Sequence, residues 1–154
     1  DLRLRFRASV HDDLLRMLAM QNGIDALVEL APAIAYRDAL AEMVAVDGLL
    51  VMQASNCNAQ IPAKIYEYLR AGTPILGLTD PDGDTAGVLR AAGLSAMARI
   101  DSVDEISEVL MRFLDDVRRG TAELAEPAVV QAASRQGRSR AMAELLERAM
   151  TNAP

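Results

Sequence analysis

Two short apolar runs, Val46–Met52 and Thr73–Leu78, bracket a segment that opens at Pro62 and closes at Gly72. Apart from Asp47 the first run is apolar throughout, as strands buried on both faces of a parallel sheet are. Proline is accepted in the first turn of a helix and glycine just past the last, so the segment between the runs reads as a short, sharply bounded helix. Parallel neighbours need a crossover, and strand, helix, strand is that unit.

The rest of the chain repeats the alternation. Leu2, Leu4 and Phe6 alternate with Arg3, Arg5 and Arg7 as a first strand, and His11–Asp12–Asp13 opens a helix carrying Leu14, Met17 and Leu18 on one face. Asn22–Gly23 ends it, Ile24–Leu30 reads as a second strand, and Tyr36–Val44 as a helix with Leu40 and Met43 turned inward. After Leu78, Asp84 and Thr85 cap a helix through Ala92, and Ser95–Ile100 is the last strand. Ser102 or Asp104 caps a helix reaching about Arg118, and a final helix is expected from Val129 to Met150. This order predicts a doubly wound α/β fold, three layers with a parallel sheet between helices. Ligands of such sheets bind outside the carboxyl ends of the strands, which points to the loops after Met52 and Leu78 and the helix starts near Pro62 and Asp84.

Composition narrows the chemistry. The 154 residues suit one domain over residues 1–154, and 51% hydrophobic with 25% charged residues is a globular balance. No apolar run approaches the ~20 residues that span a bilayer, so no transmembrane segment is expected. A net charge of −6, scattered basic residues, and only three Tyr and two Phe leave no surface suited to nucleic acid. The single Cys57 forms no internal disulfide and fits a reducing cytoplasm. Cys57 reads as a small loop residue, His11 as a surface or capping residue, and Met20, Met43, Met52 and Met97 as core packing. Asp80–Pro81–Asp82–Gly83–Asp84 superficially matches a calcium loop, but its glycine comes too early and the twelfth position is Ala91, so a turn followed by a helix is expected.

The stretch Gln60–Ile61–Pro62–Ala63–Lys64–Ile65–Tyr66–Glu67–Tyr68–Leu69–Arg70–Ala71–Gly72–Thr73–Pro74–Ile75–Leu76 resembles the hallmark of retaining, family 4-like glycosyltransferases with two facing Rossmann-like domains (the GT-B type). Tyr36–Arg37–Asp38–Ala39–Leu40, Ala45–Val46–Asp47–Gly48 and Asp84–Thr85–Ala86–Gly87–Val88–Leu89 are similar to the same family, so the likeness covers about Leu30 to Asp115. It implies the carboxyl-terminal, donor-binding half of a larger enzyme, with a Rossmann-like sheet, no resident cofactor or metal, and a nucleotide-diphosphate sugar as substrate. The amino-terminal, acceptor-binding domain would be its partner. The first strand and the diphosphate-binding basic pair of that family would precede residue 1, making this piece inactive alone. The setting would be the cytoplasm, either free or at the inner face of the membrane.

By the same resemblance Glu67 binds the ribose hydroxyls. A carboxylate suits two vicinal hydroxyls because each can donate to one oxygen. Lys64 stands near a helix start, where partial positive charge favours phosphate. Pro62, Ile61, Gln60, Gln53 and Thr85 complete the expected substrate-binding set, and no catalytic residue is assigned. Many family members carry a second Glu eight positions before this one; here that position is Ala59, with Asn56, Asn58 and Gln60 as nearby polar substitutes. Read without the family, Glu67 and Lys64 are an intrahelical pair worth about 0.2–0.5 kcal/mol. Two other functions fit the pattern: a nucleotide-sugar epimerase of the same architecture, and a non-catalytic Rossmann-like interaction domain. The final helix, with a thin stripe of Ala133, Gly137, Met142, Leu145 and Leu146, is expected to pack partly here and to reach toward the missing domain.

Overall fold

The computed structural model describes residues 2–151. The chain forms two compact units divided between Ala39 and Leu40.

In the first unit, β1 (Leu4–Arg7) pairs in parallel with β2 (Val28–Ala31), joined by α1 (Asp12–Gln21). Arg5 lies opposite Glu29 in the register and reaches it at 3.0 Å, a cross-strand pair of modest worth because both ends are exposed. The second strand is shorter than Ile24–Leu30. Gly23, at φ +66°, reverses the chain after α1, and Asp25–Leu27 then closes a single 3-10 turn through Leu27 N–H to Ile24 O at 2.9 Å. His11 stands at the start of α1 without a side-chain capping bond, while Ser9 hydrogen-bonds Asp12. The helix α2 (Tyr36–Ala45) crosses the division between the units.

The second unit holds a three-stranded parallel sheet ordered β3 (Leu49–Met52), β4 (Ile75–Leu78), β5 (Met97–Ala98). Between them run α3 (Lys64–Ala71) and α4 (Asp84–Ala91), followed by α5 (Val103–Arg119), α6 (Pro127–Ala133) and α7 (Arg135–Thr151). The alternation read from the sequence is present as an α/β fold of small parallel sheets flanked by helices. Each strand is shorter than its apolar run, for identifiable reasons. Val46 N–H still bonds Glu42 O, extending the turn of α2, and Pro74 has no N–H for a ladder. Around β5, Glu123 takes the N–H and hydroxyl of Ser95 at 2.5 and 3.0 Å, and Glu105 takes the Arg99 N–H at 3.0 Å.

The core is Leu49, Val51, Ile65, Leu69, Ile75, Leu89, Ala92 and Leu94. Ile65 and Leu69 are one turn apart on α3, so a single stripe of that helix covers the sheet. The central strand accepts α4 closely because residue 77 is glycine: a Cβ there would stand 2.7 Å from Leu89 Cδ1. Met43 and Met97 pack against the core, but Met20 and Met52 are 64% and 48% exposed and do not.

Helix boundaries differ from the pattern in three places. The α3 helix begins at Lys64 rather than Pro62, because Ile65 N–H to Pro62 O and Tyr66 N–H to Ala63 O tighten the entry into a 3-10 turn. It ends as expected, with Gly72 left-handed at φ +69°. Gly83, not Asp84 or Thr85, occupies the cap position of α4. The expected single helix Val129–Met150 is two. At Ser134 the backbone turns extended (ψ 159°), the hydroxyl donates to Gln131 O at 2.6 Å, and it accepts from Gly137 N–H at 3.0 Å. Val129 and Val130 of α6 pack on the core, whereas α7 buries no residue. Among the described residues no helix is long and apolar enough to cross a membrane.

Candidate functional site

The carboxyl ends of β3 and β4 feed two loops that are stitched together. Gln53 leaves β3 with its N–H on Leu78 O at 2.9 Å, and its amide Nε2 donates to Cys57 O at 3.1 Å. The 3-10 turn Ser55–Cys57 follows, and Gln60 N–H closes on Cys57 O at 2.9 Å. From the other loop, Asp84 N–H donates to Asn58 O at 2.9 Å and the Thr85 hydroxyl to Gln60 O at 3.1 Å. The first loop is therefore seated on the first turn of α4.

Asn58 and Asp80 join the loops at side-chain level: Asn58 Nδ2 donates to Asp80 Oδ2 at 2.6 Å. The other carboxylate oxygen accepts the Asp82 N–H at 2.9 Å, while Gly83 N–H bonds Asp80 O at 3.1 Å, which makes 80–83 the expected turn. The Arg90 guanidinium reaches the Pro81 carbonyl. A Cβ at position 83 would stand 3.2 Å from Asn58 Oδ1, so a small residue belongs there. Among the described residues no group of three or more His, Cys, Asp or Glu could hold a metal ion.

These contacts set the ionisation of Asp80. The Asn58 amide, then the Asp82 N–H, hold its carboxyl below the usual aspartate range; desolvation opposes them in part and the Arg99 charge assists. A depressed folded-state pKa means the fold favours the ionised form. Its contribution to stability is complete above the unfolded value of about 3.9 and is lost as pH falls through the folded value. An NMR titration of the Asp80 carboxyl is expected to show a midpoint below about 3.9, moving upward in Asn58→Ala. A midpoint at or above the ordinary value in the parent chain would mean the two loops are not joined in this way.

The expected site residues divide into two groups. Gln53, Gln60 and Thr85 belong to the stitched loops, where Thr85 is buried and acts on Gln60 rather than as a helix cap. Ile61 and Pro62 lead from that loop into α3. On α3, Lys64 is exposed and Glu67 is half-buried, two residues from both Ile65 and Leu69 and so on the flank away from the core. Burial, then the Glu67 charge, raises the Tyr68 pKa above its usual value. Asp80 and Gly83, which help hold this edge together, were not assigned as site residues from sequence, and Asn58 entered only as a polar substitute for the Glu replaced by Ala59. Asn58 and Asp80 are 22 residues apart and no local pattern links them.

Among the described residues, a hollow of about 480 Å³ at Ser9–Leu14 and one of about 330 Å³ along Glu144, Glu147, Arg148 and Thr151 lie away from these loops. Each is lined by one short segment, which supplies no set of polar groups converging from different elements. The chain matches no known family model, no curated protein and no solved structure.

Proposed function

We propose that this chain is the donor-binding half of a two-domain glycosyltransferase, holding a nucleotide-diphosphate sugar at the carboxyl edge of the β3–β4–β5 sheet. The observation that carries the reading is the Gln60–Leu76 motif set on a β3–α3–β4 unit, with half-buried Glu67 on the flank of α3 away from the core and the loops after β3 and β4 beside each other. In this reading Glu67 takes the ribose hydroxyls and Lys64 a phosphate or the sugar. Backbone groups around Gln60 and Ile61 line the donor. The donor half is a three-layer Rossmann-like domain of the cytoplasm, and α7 runs toward an amino-terminal, acceptor-binding domain. Catalysis then rests on electrostatic stabilisation of the departing diphosphate, shared with groups outside this chain.

The test is calorimetry of the intact enzyme against uridine, guanosine and adenosine diphosphates and their sugars. Glu67→Gln removes charge-assisted bonds worth about 1.5–3 kcal/mol while keeping the side-chain shape. Donor affinity is expected to fall roughly tenfold to a hundredfold, with an unchanged melting temperature. Unaltered affinity, together with a lowered melting temperature in Lys64→Ala, would replace the ribose role by a helix-bracing pair.

A further inference from the structure

We propose that Asn58 is a positioning residue, a latch that pins the loop 53–60 to the turn before α4 and thereby fixes the Gln60–Ile61 backbone; its use in donor binding rests on the function proposed above. Three observations converge on it. Its side chain bonds Asp80 at 2.6 Å, and its carbonyl accepts the first N–H of α4 from Asp84 at 2.9 Å. Its amide lies over a position where even a methyl group would come within 3.2 Å of Oδ1, and that position is Gly83.

The remaining bonds of the loop explain why this residue controls it. Gln53 to Cys57 and Gln60 to Cys57 are internal to the loop and survive if it swings as a body. The contacts that tie it to α4 are those of Asn58 and the Thr85 hydroxyl on Gln60 O. Asp80 is itself braced within the 80–83 turn by the Asp82 N–H. Asn58→Asp keeps the size of the side chain and sets two carboxylates 2.6 Å apart in the present geometry, which repel. Adding Asp80→Asn restores one amide and one carboxylate with their positions exchanged.

Cys57, half-buried and next in sequence to Asn58, is the only thiol in the chain and reports the loop directly. The full chain is labelled under native conditions with an aromatic disulfide reagent, with thermal melts as a folding control. Labelling through a rapidly closing open state follows the open population. Asn58→Asp is expected to speed labelling roughly tenfold, and the Asn58→Asp/Asp80→Asn exchange to return it to within about threefold of the parent. Should Asn58→Asp fail to fold, Asn58→Ala supplies the same comparison. Parental labelling in the single variant, or an exchange variant as reactive as the single, overturns the latch.

Uridine, guanosine and adenosine diphosphate titrations on the intact enzyme carrying the same substitutions separate the two claims. Weaker binding in Asn58→Asp, recovered in the exchange, supports the positioning role. A parent that binds none of these nucleotides while labelling still responds to the exchange upholds the latch and overturns the donor reading alone. A parent whose affinity ignores both substitutions removes the positioning role.

Discussion

Leu89→Ala is expected to destabilise the second unit by about 2–5 kcal/mol, seen as a lower urea midpoint with an unchanged slope. Leu89 is 1% exposed and fills the space over Gly77, so truncation leaves a cavity between α4 and the central strand. For a chain of this size the melting temperature should fall by roughly 5–15 °C. Gly77→Ala should also destabilise, by about 1–3 kcal/mol, because its methyl would come 2.7 Å from Leu89 Cδ1 and 3.1 Å from Met97 Cγ. The double variant is the sharper measurement. With Leu89 shortened, the new methyl has room, so the combined loss should be smaller than the sum by at least about 1 kcal/mol. Additive losses would show that Gly77 and Leu89 do not share one space.

Gly137→Ala is expected to unseat α7, even though alanine is the better helix former by about 1 kcal/mol. The new Cβ would stand 2.4 Å from Ala132 O and 2.6 Å from Gln131 O. These are backbone atoms at the end of α6 and cannot rotate aside, so the cost exceeds the gain in propensity and reaches the upper part of the ~1–3 kcal/mol seen for overpacking. Relief requires α7 to swing away, which breaks the Ser134–Gly137 bond and separates Arg138 from Tyr66. Amide exchange over 138–151 should accelerate, while the amides of β3 and β4 keep their protection. Protection of α7 equal to that of the parent would refute the crowding at this junction.

How far the fold could be read in advance depended on the range of the forces involved. The apolar runs at β3 and β4 and the left-handed Gly72 are local matters of burial and backbone freedom, and both were legible. The division of the last helix at Ser134 was not, because Val129–Val130 are held by a core formed mainly from residues before 95 while nothing buries α7. The same limit applies to the candidate site. Glu67 and Lys64 stand out because α3 is bounded by its own sequence. Asn58 meeting Asp80, and Arg138 lying 4.7 Å over the Tyr66 ring from 72 residues away, are products of tertiary folding that no window of sequence contains.

The Ser134 junction has a mechanical consequence. From a pivot at that residue, α7 is restrained one turn later where Arg138 donates to the Tyr66 hydroxyl at 2.5 Å. Beyond this point the helix is a cantilever of ~20 Å. A tilt of about ten degrees at the pivot, roughly 25 Å from the tip, carries that tip about 4–5 Å, yet shifts the Arg138 guanidinium by only a fraction of that distance. The restraint lands on α3, one residue from Glu67. A load applied at the far end of α7 is thereby geared down and delivered as a small torque on the helix that carries the proposed ribose ligand.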